Sequence, residues 1–141
     1  MRKIFLTHGG RFHCDDVTAY AMLYVGRIVE DVERIRVPFS ENLVKDYHIV
    51  GDIGGEYDPD RLRFDHHQEF LAREGGWGTP YATAGLIWKH FHKDIIDYFY
   101  GEFRRFTPTE YEWMHFYVDS YLIKAIDAND ASSQYREFGQ I

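Results

Sequence analysis

The sequence predicts an α/β fold, a Rossmann-like, mainly parallel sheet flanked by helices. Three observations predict it. Short apolar runs alternate with helical patterns through the first half of the chain, the arrangement that builds parallel sheets through crossover helices. Two of those runs, "FLTHGG" and "IVGDIGG", end in a polar residue beside glycines, and ligands of such sheets collect at the carboxyl ends of strands. The second half carries two long aromatic-rich stretches, "YATAGLIWKHFHKDIIDYFY" and "PTEYEWMHFYVDSYLIKAIDAND".

Taken in order, "KIFLTH" reads as a short buried strand ending at His8, followed by a Gly9-Gly10 turn. "CDDVTAYAMLYVGRIV" places Val17, Ala21, Tyr24, Val25 and Ile28 at helical spacing, so that stripe is expected to face the core. Asp15 or Asp16 is placed to cap this helix. "ERIRVPF" alternates as a more exposed second strand, and "YHIVGDIGG" is a third short apolar run with Asp52 at its carboxyl end. "EYDPDRLRFDHH" reads as a turn leading into a short strand. Beyond the Gly-rich "REGGWGTP", the two aromatic stretches predict long helices separated by "GEFRRFTP".

The 141 residues are expected to form one domain, 1–141, long enough to bury about two-thirds of the surface of the unfolded chain. An aromatic content of 18% supports a packed core. Sixteen basic against 23 acidic residues give a net charge of −7, which argues against nonspecific binding of nucleic acid or anionic membrane. A bound divalent ion would reverse that locally. The single cysteine, Cys14, excludes an intrachain disulfide and a Cys-rich zinc module; it is expected to face the interior as a small hydrophobe. No apolar run reaches membrane-spanning length, and the apolar stretch at the start is too short for a signal peptide. The expectation is a cytoplasmic protein with no membrane partner.

Four stretches concentrate metal-competent side chains: "THGGRFHCDD", "VGDIGG", "FDHHQ" and "AIDAND". They offer His8, His13 and Asp15, then Asp52, His66 and Asp127. Imidazole and carboxylate without thiolate favour Mn²⁺, Fe²⁺, Co²⁺ or Zn²⁺. Six such groups exceed one tetrahedral site and suit two ions sharing a carboxylate, the arrangement that splits phosphate esters. Each stretch alone has a plainer reading, as loop and cap residues, a turn, an exposed helix end or a polar surface. Their order and their strand-end placement set them apart. Adjacent residues point to opposite faces of a strand or sit roughly 100° apart on a helix, so His66 and His67 are expected to divide the labour.

Other residues keep plainer roles. His90 and His92 fall on nearly opposite sides of a helix. His48 would stand roughly 13 Å from Asp52 along a strand. His115 and Asp119 have a chelating spacing, but nothing else converges there. Trp77, Trp88 and Trp113 are expected in the core rather than as stacking platforms. Ser132 and Ser133 lack a nucleophile context, and no phosphate-cradling or dinucleotide-binding fingerprint is present.

The order "THGGRFHCDD", "DIGGEYDPDRLRFDHHQ", "TAGLIWKHF" and "IDAND" closely resembles the Myg-type family (metal-dependent protein hydrolase or exonuclease), a branch of the DHH phosphoesterase superfamily. The resemblance implies the N-terminal, metal-binding domain type of that superfamily, with two divalent ions, Mn²⁺ foremost and Co²⁺, Fe²⁺, Zn²⁺ or Mg²⁺ as alternatives. It implies that His8, His13 and Asp52 hold the first ion, and that Asp15, Asp52, His66 and Asp127 hold the second, Asp52 bridging. Asp65 would orient a histidine and His67 would face the phosphate, which with Asp52 makes the catalytic set. Superfamily enzymes usually continue into a second domain with basic groups, and this chain stops soon after "IDAND". Arg63, Arg11 and Arg73 are then the nearest candidates to grip phosphate, and the resemblance leaves open whether Asp130 assists Asp127. The implied activity is a dimetal phosphohydrolase, a phosphodiesterase or exonuclease acting on nucleotides or single-stranded nucleic acid. The alternatives are a non-catalytic metal-binding module needing a partner chain, and a vestigial domain with an interaction role. A second copy or a partner chain covering the cleft is part of the same expectation.

Overall fold

The computed structural model describes residues 3–38, 40–44, 47–73 and 78–130. Strand β1 (Ile4–His8) leads into helix α1 (Cys14–Val25), strand β2 (Asp31–Ile35), strand β3 (Ile49–Gly51) and the short strands β4 (Tyr57–Asp58) and β5 (Arg63–Phe64). Helix α2 (Thr83–Tyr100) and helix α3 (Pro108–Val118) follow; a π-helical turn (Asp119–Ile123) then joins α3 to helix α4 (Lys124–Asp130). The five strands form one sheet in the order β2-β1-β3-β5-β4. All neighbours run parallel except β4 and β5. The fold is therefore mixed α/β with a mostly parallel sheet.

The chain leaves β1 toward β2 on one side and returns to β3 on the other, so β1 and β3 flank the point where strand order reverses. That crevice is where open α/β sheets bind ligands. His8 ends β1 and Asp52 follows β3 directly. Gly51 keeps β3 thin: a Cβ there would stand 2.6 Å from the Phe5 ring and 2.9 Å from Thr83 Cγ2.

The main core lies on one face of the sheet, where Phe5, Ile49 and Phe64 meet Ala19 and Leu23 of α1 and Leu86, Ile87 and Phe91 of α2. On the other face Leu6 and Val50 pack with Val44, beside Ile35, Tyr47 and Ile53. The strand period of two thus feeds both clusters.

Helix α1 departs from its expected orientation. The stripe Val17, Tyr24 and Val25 is exposed, and so is Ala21. The buried face is Asp15, Asp16, Ala19 and Leu23. The helix turns two carboxylates inward at its first turn, and the apolar stripe beside them is left outside. Cys14 is exposed for the same reason: at the first position of α1 it lies off the inward face. Trp88 is buried as expected, whereas Trp113 is 68% exposed and stacks on Tyr117. Trp77, Ser132 and Ser133 lie outside the described residues.

Candidate metal centre

Two clusters of nitrogen and oxygen donors meet at Asp52. One donor atom from each of His8, His13, Asp16 and Asp52 lies within 4.8 Å of the others, and the same holds for Asp52, His66, His67 and Asp130. Asp52 faces both because its backbone is left-handed, φ 60°. Aspartate tolerates that conformation better than most residues, and its amide still donates to Phe64 O at 3.1 Å. The turn thereby throws the carboxylate back over the strand ends.

At the first cluster, His8 Nε2 stands 3.1 Å from Asp52 Oδ2 and 3.8 Å from Asp16 Oδ1. Its other ring nitrogen, Nδ1, is 2.8 Å from Gly9 O, which assigns the proton to Nδ1 and the lone pair to Nε2. Nε2 is buried and has no hydrogen-bond partner among the described residues. A lone pair facing a carboxylate oxygen is an arrangement that a cation between them would satisfy. Asp16 Oδ1 accepts from the His13 amide at 2.6 Å, fixing the start of α1. Arg34 ties the rim together: it donates to His8 O at 3.1 Å, to Arg11 O at 2.8 Å and to Asp16 Oδ2 at 3.4 Å.

At the second cluster, His66 Nε2 lies 3.2 Å from Asp52 Oδ1, 3.5 Å from Asp15 Oδ2 and 3.0 Å from Asp130 Oδ2. Burial alone would hold its pKa down, but Asp130, Asp15 and Asp52 outweigh it and push the imidazole up to about 12. The carboxylates demand positive charge at that point. Asp15 is raised as well, to about 6, but by burial, with repulsion from Asp52 and Asp130 adding to it against the bond from His66.

Asp65 holds the motif in shape. Its Oδ2 accepts from Gly55 N at 2.7 Å, and its Oδ1 from His66 N at 2.8 Å and from His67 Nδ1 at 2.6 Å. Burial would raise Asp65, but His67 and the Gly55 amide hold it below the usual aspartate value. In return, the bond to Asp65 raises His67. His67 Nε2 is left 3.6 Å from Asp52 Oδ1, on a side chain that is 58% exposed. The rings of His66 and His67 lie 4.2 Å apart between centroids, so the two neighbours do not point to opposite faces. They stand beyond the end of β5, where strand alternation no longer applies.

The remaining carboxylates brace the helices. Asp15 accepts from Thr83 N at 3.2 Å and Ala84 N at 2.7 Å, capping α2, whose N-cap residue Ala82 has no capping side chain. Asp127 accepts from Gly85 N at 3.0 Å and from Arg73 Nη2 at 2.8 Å. A Cβ on Gly85 would stand 1.9 Å from Asp127 Oδ2. Arg73 also donates to both oxygens of Asp119, at 2.8 and 3.0 Å, and to Pro80 O at 2.9 Å. Arg73 is therefore a buried strut between the π turn and α4, its guanidinium engaged by Asp119, Asp127 and the Pro80 carbonyl.

Of the ligands expected from sequence, His8, His13, Asp52 and His66 converge, and Asp15 lies at hydrogen-bonding range of His66. Asp127 spends its oxygens on Arg73 and Gly85, whereas its neighbour Asp130 enters the cluster three residues on, the i, i+3 partner on the same helix face. Asp16, which is not among the ligands expected from sequence, enters the first cluster with His8 and His13. Two adjacent aspartates at a helix start give no periodicity signal to separate them. Arg63 Nη1 turns to Arg61 O at 2.8 Å, and Arg11 is exposed beside Gly10. His92 is buried against the ring of His115, 4.7 Å away.

A family model described as an uncharacterised protein family, UPF0160, the MYG1 exonuclease model, matches residues 4–139. The chain belongs to this family. It is 40% identical over 97 residues to the MYG1 exonuclease of Homo sapiens, covering 64% of this chain and 26% of that protein. It is 32% identical to a MYG1 protein of Saccharomyces cerevisiae, covering 92% of this chain and 38% of the yeast protein. A MYG1 protein of Chlamydia trachomatis is 31% identical, over 88% of this chain and 36% of its own length. The alignments thus span between 26% and 38% of these relatives. No solved structure matches the chain.

Proposed function

We propose that this chain carries a two-metal phosphohydrolase centre of the DHH phosphoesterase type, acting on the phosphodiester bonds of nucleotides or single-stranded nucleic acid. The observation that carries the reading is Asp52. It is buried, faces two donor clusters at once, and among the described residues its side chain meets only imidazole nitrogens. The other buried carboxylates around it have partners of their own: Asp16 has Arg34, Asp65 has His67 and Gly55, and Asp127 has Arg73. Among the described residues Asp52 has no Arg or Lys partner, and two divalent ions sharing it would supply the charge that imidazoles supply only when protonated. The donors fit such ions, because His8 Nε2 is buried without a hydrogen bond and the set is imidazole and carboxylate throughout. The name of the human relative, MYG1 exonuclease, supports a nuclease as the activity.

His8, His13, Asp16 and Asp52 would hold one ion. Asp52, His66 and Asp130 would hold the other, with Asp15 beside them. When bound, such ions activate water at neutral pH and neutralise charge on phosphoryl oxygens. The chain's own contribution is positional. Asp65 fixes the His67 ring through Nδ1, leaving Nε2 at the mouth of the cluster to donate to a phosphate oxygen as its charge rises. Mn²⁺ is the ion that the family resemblance favours; the donor set itself also admits Fe²⁺, Co²⁺ and Zn²⁺. The free, exposed Cys14 is consistent with a reducing, cytoplasmic compartment.

A second reading draws support from the open mouth of the cluster, where the His67 side chain is 58% exposed. In it the chain is a single metal-holding domain whose turnover needs a partner chain or a second copy over the cleft. Mn²⁺-dependent cleavage of short single-stranded oligonucleotides by the purified chain separates the two. The first predicts steady multiple turnover that a chelator stops. Metal binding without cleavage would sink it and leave the second.

A further inference from the structure

Beside the metal cluster, at the carboxyl ends of β1 and β2, lies a cavity of about 630 Å³ lined by His8, Gly9, Gly10, Arg11, Arg36 and Val37, with Ile35 and Ile53 behind. This volume falls within the ~300–1,000 Å³ of ordinary small-ligand sites. Two features set it apart from the rest of the surface. Arg11 and Arg36 are both exposed, and among the described residues neither side chain has a carboxylate or hydrogen-bond partner. In a chain of net charge −7, two uncompensated guanidinium groups in one cavity mark a place for an anion. The floor is bare backbone: Gly9 packs so closely that a Cβ would stand 1.7 Å from Ile35 O, and Gly10, at φ 85°, has nothing within 4 Å of where its Cβ would be. A ligand can therefore approach the main chain there. The walls from Ile35, Val37 and Ile53 are apolar, which suits a base or sugar face more than a bare polyphosphate.

His8 lines this cavity and also belongs to the first donor cluster, so the two adjoin at that side chain. We propose that the Arg11–Arg36 cavity is a second nucleotide subsite, holding the phosphate of the unit next to the one being cut. The substrate class of the centre then narrows to molecules with a nucleoside and at least two separate phosphates. Arg36, which no sequence motif singled out, is the specificity-determining residue. This inference rests on the phosphohydrolase reading for its location, but its test does not depend on turnover.

The test is calorimetric titration of the Mn²⁺-loaded protein with adenosine 5′-monophosphate, adenosine 3′,5′-bisphosphate and inorganic pyrophosphate. The bisphosphate is expected to bind about tenfold more tightly than the monophosphate, the equivalent of roughly 1.4 kcal/mol, and more tightly than pyrophosphate. In Arg36→Gln and Arg11→Gln that preference should shrink toward unity, while Mn²⁺ affinity and melting temperature match the parent protein, showing an intact fold. Equal binding of mono- and bisphosphate, binding of neither, or a preference that survives the double substitution overturns the subsite. Pyrophosphate binding as well as the bisphosphate overturns the nucleoside part. Oligonucleotide cleavage measured separately reports on the phosphohydrolase reading, so the two can fail independently.

Discussion

His67 shows how one residue's work depends on another's charge. Its Nδ1 is bonded to Asp65 at 2.6 Å, and that bond, with the Asp65 and Asp52 charges, raises its pKa against the opposing effects of burial and His66. A raised pKa keeps the imidazole protonated, and so able to donate, above its ordinary value of 6.5. The donor is lost as pH rises through the raised value. Asp65→Asn removes the charge, so the alkaline limb of the rate profile should move to lower pH, with kcat down about 10–100-fold. His67→Ala should cost about 10²–10³-fold and remove that limb. An alkaline limb unmoved in Asp65→Asn contradicts the assignment. That Asp65 supports a histidine was implied by the resemblance "FDHHQ" carries, but its choice of His67 and the sharing of one cluster by His66 and His67 were not legible. Reading them by strand alternation failed because β5 ends at Phe64, and beyond it the chain turns freely.

At the scale of elements, Asp15 and Asp127 each join the site to a helix. Asp15 caps α2 from another part of the chain, and Asp127 meets α2 at Gly85, where no side chain would fit. Burial pushes Asp127 up to about 7 even against the pull of Arg73. Burial also opposes the charge on Arg73, but Asp119 and Asp127 hold its pKa above the ordinary value. Removing the strut leaves two buried carboxylates unpaired, so Arg73→Ala should destabilise by about 3–5 kcal/mol in urea unfolding. Lysine, which cannot reproduce the bidentate contact, should recover little of it. Gly85→Ala should cost about 1–3 kcal/mol by overpacking. A loss below ~1 kcal/mol for Arg73→Ala would show that the strut does not hold α4 in place. The strands, the strand-end histidine and aspartate, and the two long helical regions were readable from the sequence. The inward face of α1 was not, because helical spacing marks Val17, Ala21 and Val25 as a core stripe, whereas the inward face begins with two aspartates before Ala19 and Leu23. Nor was the π turn at Asp119–Ile123, which interrupts an otherwise continuous pattern and is the segment that Arg73 grips.

For the molecule as a whole, six aspartates are buried among the described residues: Asp15, Asp16, Asp52, Asp65, Asp119 and Asp127. Arg73 is the buried arginine that answers two of them. A fold that concentrates negative charge at one end of its sheet should be stabilised by cations binding there. Mn²⁺ at about 100 times its dissociation constant adds roughly 2.7 kcal/mol per site, enough to raise the melting temperature by roughly 5–15 °C. Binding should also release protons, since the carboxylates push His66 up to about 12 without an ion. A melting temperature indifferent to Mn²⁺ and Co²⁺ would favour an interaction domain in which the donors are vestigial.

The central claim is that Asp52 bridges two ions in a working phosphohydrolase, and the most direct measurement compares the parent protein with Asp52→Asn. Asparagine also tolerates the left-handed backbone found at this position, so the fold should persist while the shared charge is lost. The account predicts about two Mn²⁺ per chain and chelator-sensitive cleavage of a single-stranded oligonucleotide for the parent, with metal content and cleavage both collapsing in the variant. Cleavage undiminished in Asp52→Asn, or a parent protein that binds no Mn²⁺, would contradict it.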